Sequence, residues 1–445
     1  MKRIITLDFL RGLSLMCMIA FHVITHLLDK SARQSLEDLH WSIIFLGFLF
    51  MLTASFRSFF LMISAVVNTV SMQYNLLSGQ KPGIVWKKQL ISGSITYVAG
   101  LLAEGIFSHN AFIPISIESQ TLSPEFLTRS LHCETLMVIG LSMIIISTIH
   151  FFLSINKGYL RYKRNFVVYV ILGLMTLFLT PYIRQIYSLP YVGVDPGDGY
   201  YEVSNVGEFF KNLGLSPIFG IPQPLFPFFA TACIGTSFAI YLTNTDKLLY
   251  PIRIIQIGKI VAAIMILTGT SIVLTRLDEI YLMFEQQFDV HPLWFWLMTN
   301  GFQLIIIVWF LGMNEFNRKK TGKNYLKHTL LLRRWGILSM SIFLWQAYPE
   351  LLLRYLGTWI TPYDFITRHS TPAIPMLILM LTTTAIWDGI IRLWEKIQFK
   401  GSLEWIMQII KKGKRQVDVQ GILYEVEPIR FVAQPLPAKK LTAKI

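Results

Sequence analysis

Apolar windows recur along the chain near residues 7–28, 41–70, 89–107, 131–154, 165–187, 224–243, 259–275, 292–312, 335–357 and 372–393. Apart from the overlong second, each runs about 17 to 25 residues, the length an α-helix needs to cross a hydrocarbon core. The pattern predicts an all-α, polytopic membrane protein of about ten transmembrane helices. The second window fits either one tilted helix or a helix preceded by an interfacial segment.

The first window is the one that breaks the apolar rule. It reads LDFLRGLSLMCMIAFHVITHLL and carries Asp8, Arg11, His22 and His26. At about 100° per residue, Asp8, Arg11, Leu15, Met18, His22 and His26 fall on one stripe of a helix. Ionisable groups within a bilayer are costly unless they face protein or a wet cavity, so the stripe is expected to face inward, with Phe9, Leu13, Met16 and Ile19 left toward lipid. Arg11 and His22 are three turns apart, about 16 Å along the axis.

Lysine and arginine set the orientation. Taken over alternate connections, thirty fall on one side, eight on the other, and two, Arg11 and Arg57, within spans. Apart from the first pair, where two stand against two, the bias has the same sign at every pair of neighbouring loops, which predicts ten spans with both termini in the cytoplasm. Arg11 and Arg57 then lie toward the inner surface, and His22, His26, His40, His109, His132, His291 and His369 toward the outer one. The outer side also receives the stretch from Tyr187 to Pro224, rich in Gly, Pro and Tyr. It reads either as a binding loop or lid or as a solvated connector.

Composition narrows the class. With 53% apolar and only 15% charged residues, the chain is not that of a soluble protein. The net charge of +14 reflects the inner-side bias and not nucleic-acid binding. Cys17, Cys133 and Cys233 lie in apolar spans without metal-ligand spacing, so neither a disulfide framework nor a metal site is expected. Met1-Lys2-Arg3 resembles the basic start of a signal peptide, but Asp8 and Arg11 interrupt the apolar run after it, and the first span is read as uncleaved. Residues 1–395 form the membrane domain. Residues 396–415 include an amphipathic basic helix, placed on the inner leaflet or packed against the domain, and 416–445 an extended cytoplasmic tail.

The first span also carries a resemblance. DFLRG followed by LSLMCMIAFH is similar to the opening helix of the transmembrane acyltransferase superfamily, which includes heparan-alpha-glucosaminide N-acetyltransferases and bacterial membrane enzymes that O-acylate cell-surface glycans. The Asp-x-x-Arg-Gly pattern stands as Asp8, Arg11 and Gly12, and the Arg-to-His spacing of the O-acylating branch as Arg11 and His22. Ser55–Val66 resembles the family's second span, with Ala65 in place of Gly. Leu131–Ile145 and Pro224–Leu242 resemble further segments. Ser339–Tyr348 matches a late motif in which Gln346 replaces a common His.

The resemblance implies a cell-membrane enzyme, multi-pass in a prokaryotic cytoplasmic membrane, that moves a small acyl group, acetyl being favoured, from cytoplasmic acyl-CoA to a hydroxyl or amine of an extracytoplasmic glycan. Asp8, Arg11 and Arg57 would serve the donor's phosphates, since a guanidinium forks onto phosphate oxygens. His22 or His26 would act as base or nucleophile, with His40 a competitor and His132 and Glu134 supporting. Blander readings stand beside these: an Asp8–Arg11 structural pair, a snorkelling Arg57, buried histidines that only donate hydrogen bonds, and boundary residues at 132 and 134. A transporter or flippase using the stripe as a polar path, an inactive scaffold, and a homo-oligomer also remain open.

Overall fold

The computed structural model describes residues 2–27, 58–109, 111–119, 128, 130–186, 191–192, 200–201, 203–220, 223–243, 251–276, 292–315, 323–367, 370–412, 423 and 427–428. His40 and Arg57 lie outside them. The helices in chain order are α1 (Ile5–Leu27), α2 (Phe59–Leu77), α3 (Pro82–Leu102), α4 (Phe112–Ser119), α5 (Thr135–Ser154), α6 (Tyr162–Ile186), α7 (Val206–Phe219), α8 (Leu225–Leu242), α9 (Pro251–Leu274), α10 (Leu293–Met313), α11 (Lys323–His328), α12 (Leu330–Ile337), α13 (Ser339–Trp345), α14 (Ala347–Ile360), α15 (Ala373–Lys396) and α16 (Leu403–Lys412). Among the described residues, nine helices are long and apolar enough to cross a bilayer: α1, α2, α3, α5, α6, α8, α9, α10 and α15. The chain is a multi-pass helical membrane protein.

Prolines punctuate the spans. Pro82 stands at the first position of α3, and Pro224, Pro292 and Pro372 immediately precede α8, α10 and α15. A residue without an N–H costs nothing there, because the first amides of a helix have no intrahelical acceptor. At the other end of α2, Gly79 adopts φ +90, and the amide of Gln80 closes onto the carbonyl of Asn75, a left-handed stop that favours glycine.

The window at 335–357 is not one span but three short helices, α12, α13 and α14. Pro349 accounts for the second break: it cannot donate to the carbonyl of Trp345, four residues back, and the α-helix is interrupted at Gln346. The connection from Tyr187 to Pro224 also differs from a plain loop, since it holds α7. Asn205 caps that helix by accepting from the amide of Glu208 at 2.9 Å, while Glu208 reaches back to the amide of Ser204 at 2.9 Å, a reciprocal cap that Ser-Asn-x-x-Glu encodes.

Helix α1 is central. Asp8, Leu15, Met18 and His26 are buried and Arg11 and His22 half-buried, as an inward stripe requires. The opposite face, however, does not reach lipid: Ile19 is buried, Phe9 packs on Phe310 of α10 at 5.3 Å between ring centroids, and Leu13 and Met16 pack on the apolar core. Lipid is left to the outer helices, where Phe178 of α6, Leu267 of α9 and Leu381 of α15 are mostly exposed.

The closest packing is backbone against backbone. A Cβ on Gly12 would stand 1.7 Å from the carbonyl oxygen of Leu332, and one on Gly336 would stand 2.1 Å from that of Asp8, so α1 and α12 touch through two glycines. Gly93 and Gly140 do the same for α3 and α5, and Gly235 for α8 against α2. Lipid tails are as apolar as leucine, so helix association in a bilayer relies on such close approach and on interhelical hydrogen bonds. The latter include Gln303 to Ser58 at 2.7 Å, Trp296 to Thr231 at 3.1 Å and Thr69 to Thr236 at 3.3 Å.

The start of α1 is held from α10. The amide of Thr6 donates to Glu315 at 3.0 Å, and Lys2–Arg3 (β1) pairs in parallel with Glu427–Pro428 (β4). A second two-residue pair, β2 (Tyr191–Val192) with β3 (Tyr200–Tyr201), is antiparallel.

Gly12→Ala is expected to destabilise the detergent-solubilised protein by about 1–3 kcal/mol or more, since backbone must shift to admit the methyl group. Gly389→Ala, where a Cβ meets nothing within 4 Å, should be neutral or stabilising; equal melting temperatures for the two would refute the contact. Burial pushes the Glu315 carboxyl up to about 7, against the opposing pull of the Thr6 and Ile5 amides. The folded state therefore keeps a proton that the unfolded chain releases, and stability should fall as pH rises from about 4.5 to 7 and flatten above. Glu315→Gln should flatten that slope in thermal melts across the same range.

Candidate active site

Three imidazoles converge at one end of the bundle. His22 and His26 are one turn apart on α1, and their rings stack with centroids 5.6 Å apart. His109 meets both, at 5.3 Å from His22 and 4.7 Å from His26. Behind His109 stands Glu350 of α14, whose Oε2 lies 3.5 Å from His109 Nδ1. His26, His109 and Glu350 are buried, whereas His22 is half-buried and forms the open side of the group.

Two irregularities in the helices bring these residues together. After α3 the chain passes through a π-helical turn, Ala103–Phe107, where Glu104 accepts from Ser108 at 3.2 Å, and His109 comes directly after. A π turn rotates the next residues away from the α-helical register, and such turns concentrate at functional sites. Past the interruption at Gln346, α14 carries Glu350 in its first turn. Arg354, one turn on, fixes α14 by donating to the carbonyls of Phe365 at 2.7 Å and Ile366 at 2.6 Å and by pairing with Glu118 of α4.

Arg11 occupies the other end of the stripe. Its Nε and Nη2 donate to the Ser339 hydroxyl at 3.0 and 2.5 Å, and its guanidinium lies 5.8 Å from the centre of the Phe60 ring. Nearby, Glu404 of α16 caps α13: it accepts from the amides of Met340 at 2.7 Å and Ser341 at 3.3 Å and from the Ser341 hydroxyl at 2.5 Å. Burial raises the Glu404 carboxyl, while Ser341 and the charge of Arg11 pull it back. Leu403, Trp405 and Met407 of α16 pack on the apolar core, and Ile406 and Ile410 stay exposed. The helix thus has one face on the domain and one apolar edge free for lipid. Basic residues gather at this end too, with Arg334 on Glu395 at 2.8 Å and Arg333 donating to the carbonyl of Leu423 at 2.7 Å.

Between the two ends the stripe is filled. Leu15 and Met18 are buried in the main apolar cluster with Phe60, Leu136, Trp335 and Leu344, so among the described residues the middle of the stripe faces protein and not a wet cavity. A crevice does open between α2, α3 and α5, lined by Ser64, Ala65, Asn68, Thr69, Gln89 and Ser142 among others, but neither Arg11 nor a histidine lines it.

The residues expected from the sequence thus divide. His22 and His26 come together, Asp8 and Arg11 lie at the far end of the same helix, and His132 and Glu134 sit in the turn before α5, where His132 is buried. The sequence pattern places His109 only on a side of the membrane and does not single out Glu350. A signal for Glu350 is nevertheless present: it is the one acidic residue in the apolar window 335–357, and an intramembrane carboxylate is a functional candidate by default.

No family model matches the chain, and no curated protein matches it. The chemistry of the site therefore rests on its geometry.

Glu404→Ala removes the acceptor of three donors at the start of α13, leaving two amides and a hydroxyl without it. A loss of about 1–3 kcal/mol is expected, with faster amide exchange across α16 and the Arg11–Ser339 region. Unchanged exchange in both would show that Glu404 does not anchor the helix.

Proposed function

We propose that the protein is a membrane acyltransferase that carries a small acyl group, acetyl in the simplest case, from a coenzyme A thioester on the basic side of the membrane to a hydroxyl or amine of a glycan on the histidine side. The observation that carries this reading is the half-buried His22 set against His26, His109 and the buried Glu350, on the same face of α1 that begins with Arg11.

In this reading the neutral His22 imidazole takes the proton of the acceptor as its oxygen or nitrogen attacks the thioester carbonyl. The acyl–sulfur bond breaks and coenzyme A leaves as the thiol, protonated by the imidazolium. His26 and His109 hold the ring of His22 by stacking, and Glu350 fixes the orientation of His109. Arg11, on the same end of α1 as Asp8, receives the donor's phosphates, exchanging its Ser339 hydrogen bonds for stronger charge-assisted ones. The pantetheine arm reaches His22 by displacing Leu15 and Met18, both flexible, unbranched at Cβ and able to change rotamer.

In liposomes the purified protein should consume acetyl-CoA only when a glycan acceptor is present. His22→Ala should lower turnover at least 1,000-fold, about 4 kcal/mol of barrier, with the melting temperature retained. Turnover undiminished in His22→Ala would remove the base from this position. Proton-coupled movement of substrate without thioester cleavage would replace the transferase reading with a transporter.

A further inference from the structure

We propose that His26, His109 and Glu350 form a binding site for one divalent first-row transition ion of the Zn²⁺ class, with His22 beside it. One ligand atom from each residue can be chosen so that all three lie within 4.8 Å of one another, and all three side chains are buried. One separation, 3.5 Å between His109 Nδ1 and Glu350 Oε2, is close to the edge of a tetrahedral site, about 3.3 Å for bonds of about 2.05 Å.

The donor set selects the ion. Two imidazoles and one carboxylate suit Zn²⁺, Co²⁺ or Fe²⁺ and are too nitrogen-rich for Mg²⁺ or Ca²⁺, which take oxygen ligands. Glu350 is 1% exposed, so its carboxylate lies inside the bundle beside the two imidazoles. The three ligands come from three separate segments, α1, the stretch just after the π turn, and the first turn of α14. An ion there would tie α1 to the two irregular stretches of the bundle. His22, with ring centroids 5.3 Å from His109 and 5.6 Å from His26, either completes the coordination or leaves the fourth position to a water or an incoming ligand.

This site is inferred from geometry and does not require the transferase reading, and its test needs no substrate. Full-length protein without a polyhistidine tag, stripped with chelator and dialysed against Zn²⁺ in detergent, is expected to retain about one ion per chain by elemental analysis. Substituted with Co²⁺, it should show the intense visible bands of a tetrahedral or five-coordinate nitrogen and oxygen site. The double variant His26→Gln, His109→Gln should lose the bound ion, Glu350→Gln should bind at least tenfold more weakly, and His150→Gln, a buried histidine elsewhere, should bind as the wild type does. Wild-type protein that retains no ion, or a double variant that retains as much, would overturn the proposal. If the double variant does not fold, the Co²⁺ spectrum of the wild type decides: weak octahedral bands alone would mean that no such site exists.

Discussion

The contact on which the site depends is the one between the backbones of α1 and α12. Gly12 lies against the carbonyl of Leu332 and Gly336 against that of Asp8, too close for any side chain on either surface. Two helices that meet at this distance cannot slide or rotate without losing the fit, so the register of α1 is set. Everything its stripe carries is then set with it: Arg11 reaches Ser339 at one end, and His22 and His26 face His109 at the other. In a bilayer, where water does not drive helices together, steric fit of this kind has to supply much of the specificity.

Around that rigid axis the functional groups are supplied by departures from regular helix. The π turn at Ala103–Phe107 delivers His109, and the break before Pro349 delivers Glu350. Irregular backbone is tolerated at membrane depth only where protein or an internal cavity surrounds it, and both irregularities lie in the interior of the bundle. The same division appears at the basic end, where the junction between α12 and α13 exposes amides that Glu404 of α16 caps. The amphipathic helix is therefore tied to the membrane domain by a polar bond as well as by Trp405 and Met407.

The two ends of the α1 stripe are chemically different and are separated by apolar packing. Among the described residues, Leu15 and Met18 fill the middle of the stripe. The proposed transfer would require a second arrangement of those side chains, and only a ligand that interacts better with the opened form can populate it. At the basic end Arg11 is held by Ser339 and lies near Glu404.

The apolar windows and their length determined that the chain is a helical, multi-pass membrane protein, because backbone polar groups in hydrocarbon must be satisfied within each segment. Periodicity alone also placed Asp8, Arg11, His22 and His26 on one inward face, since that is a local property of a helix. The break at Gln346, the cap of α7 and the burial of Phe9 and Ile19 needed more than an average of hydropathy: the first two were written in Pro349 and in Ser204-Asn205, and the third depends on which helices surround α1. What only the tertiary structure decided is the partnership of His109 and Glu350 with His22 and His26. These residues come from segments far apart in sequence, and no local period relates them; their meeting is a consequence of how glycine contacts lock the helices and where the helices bend.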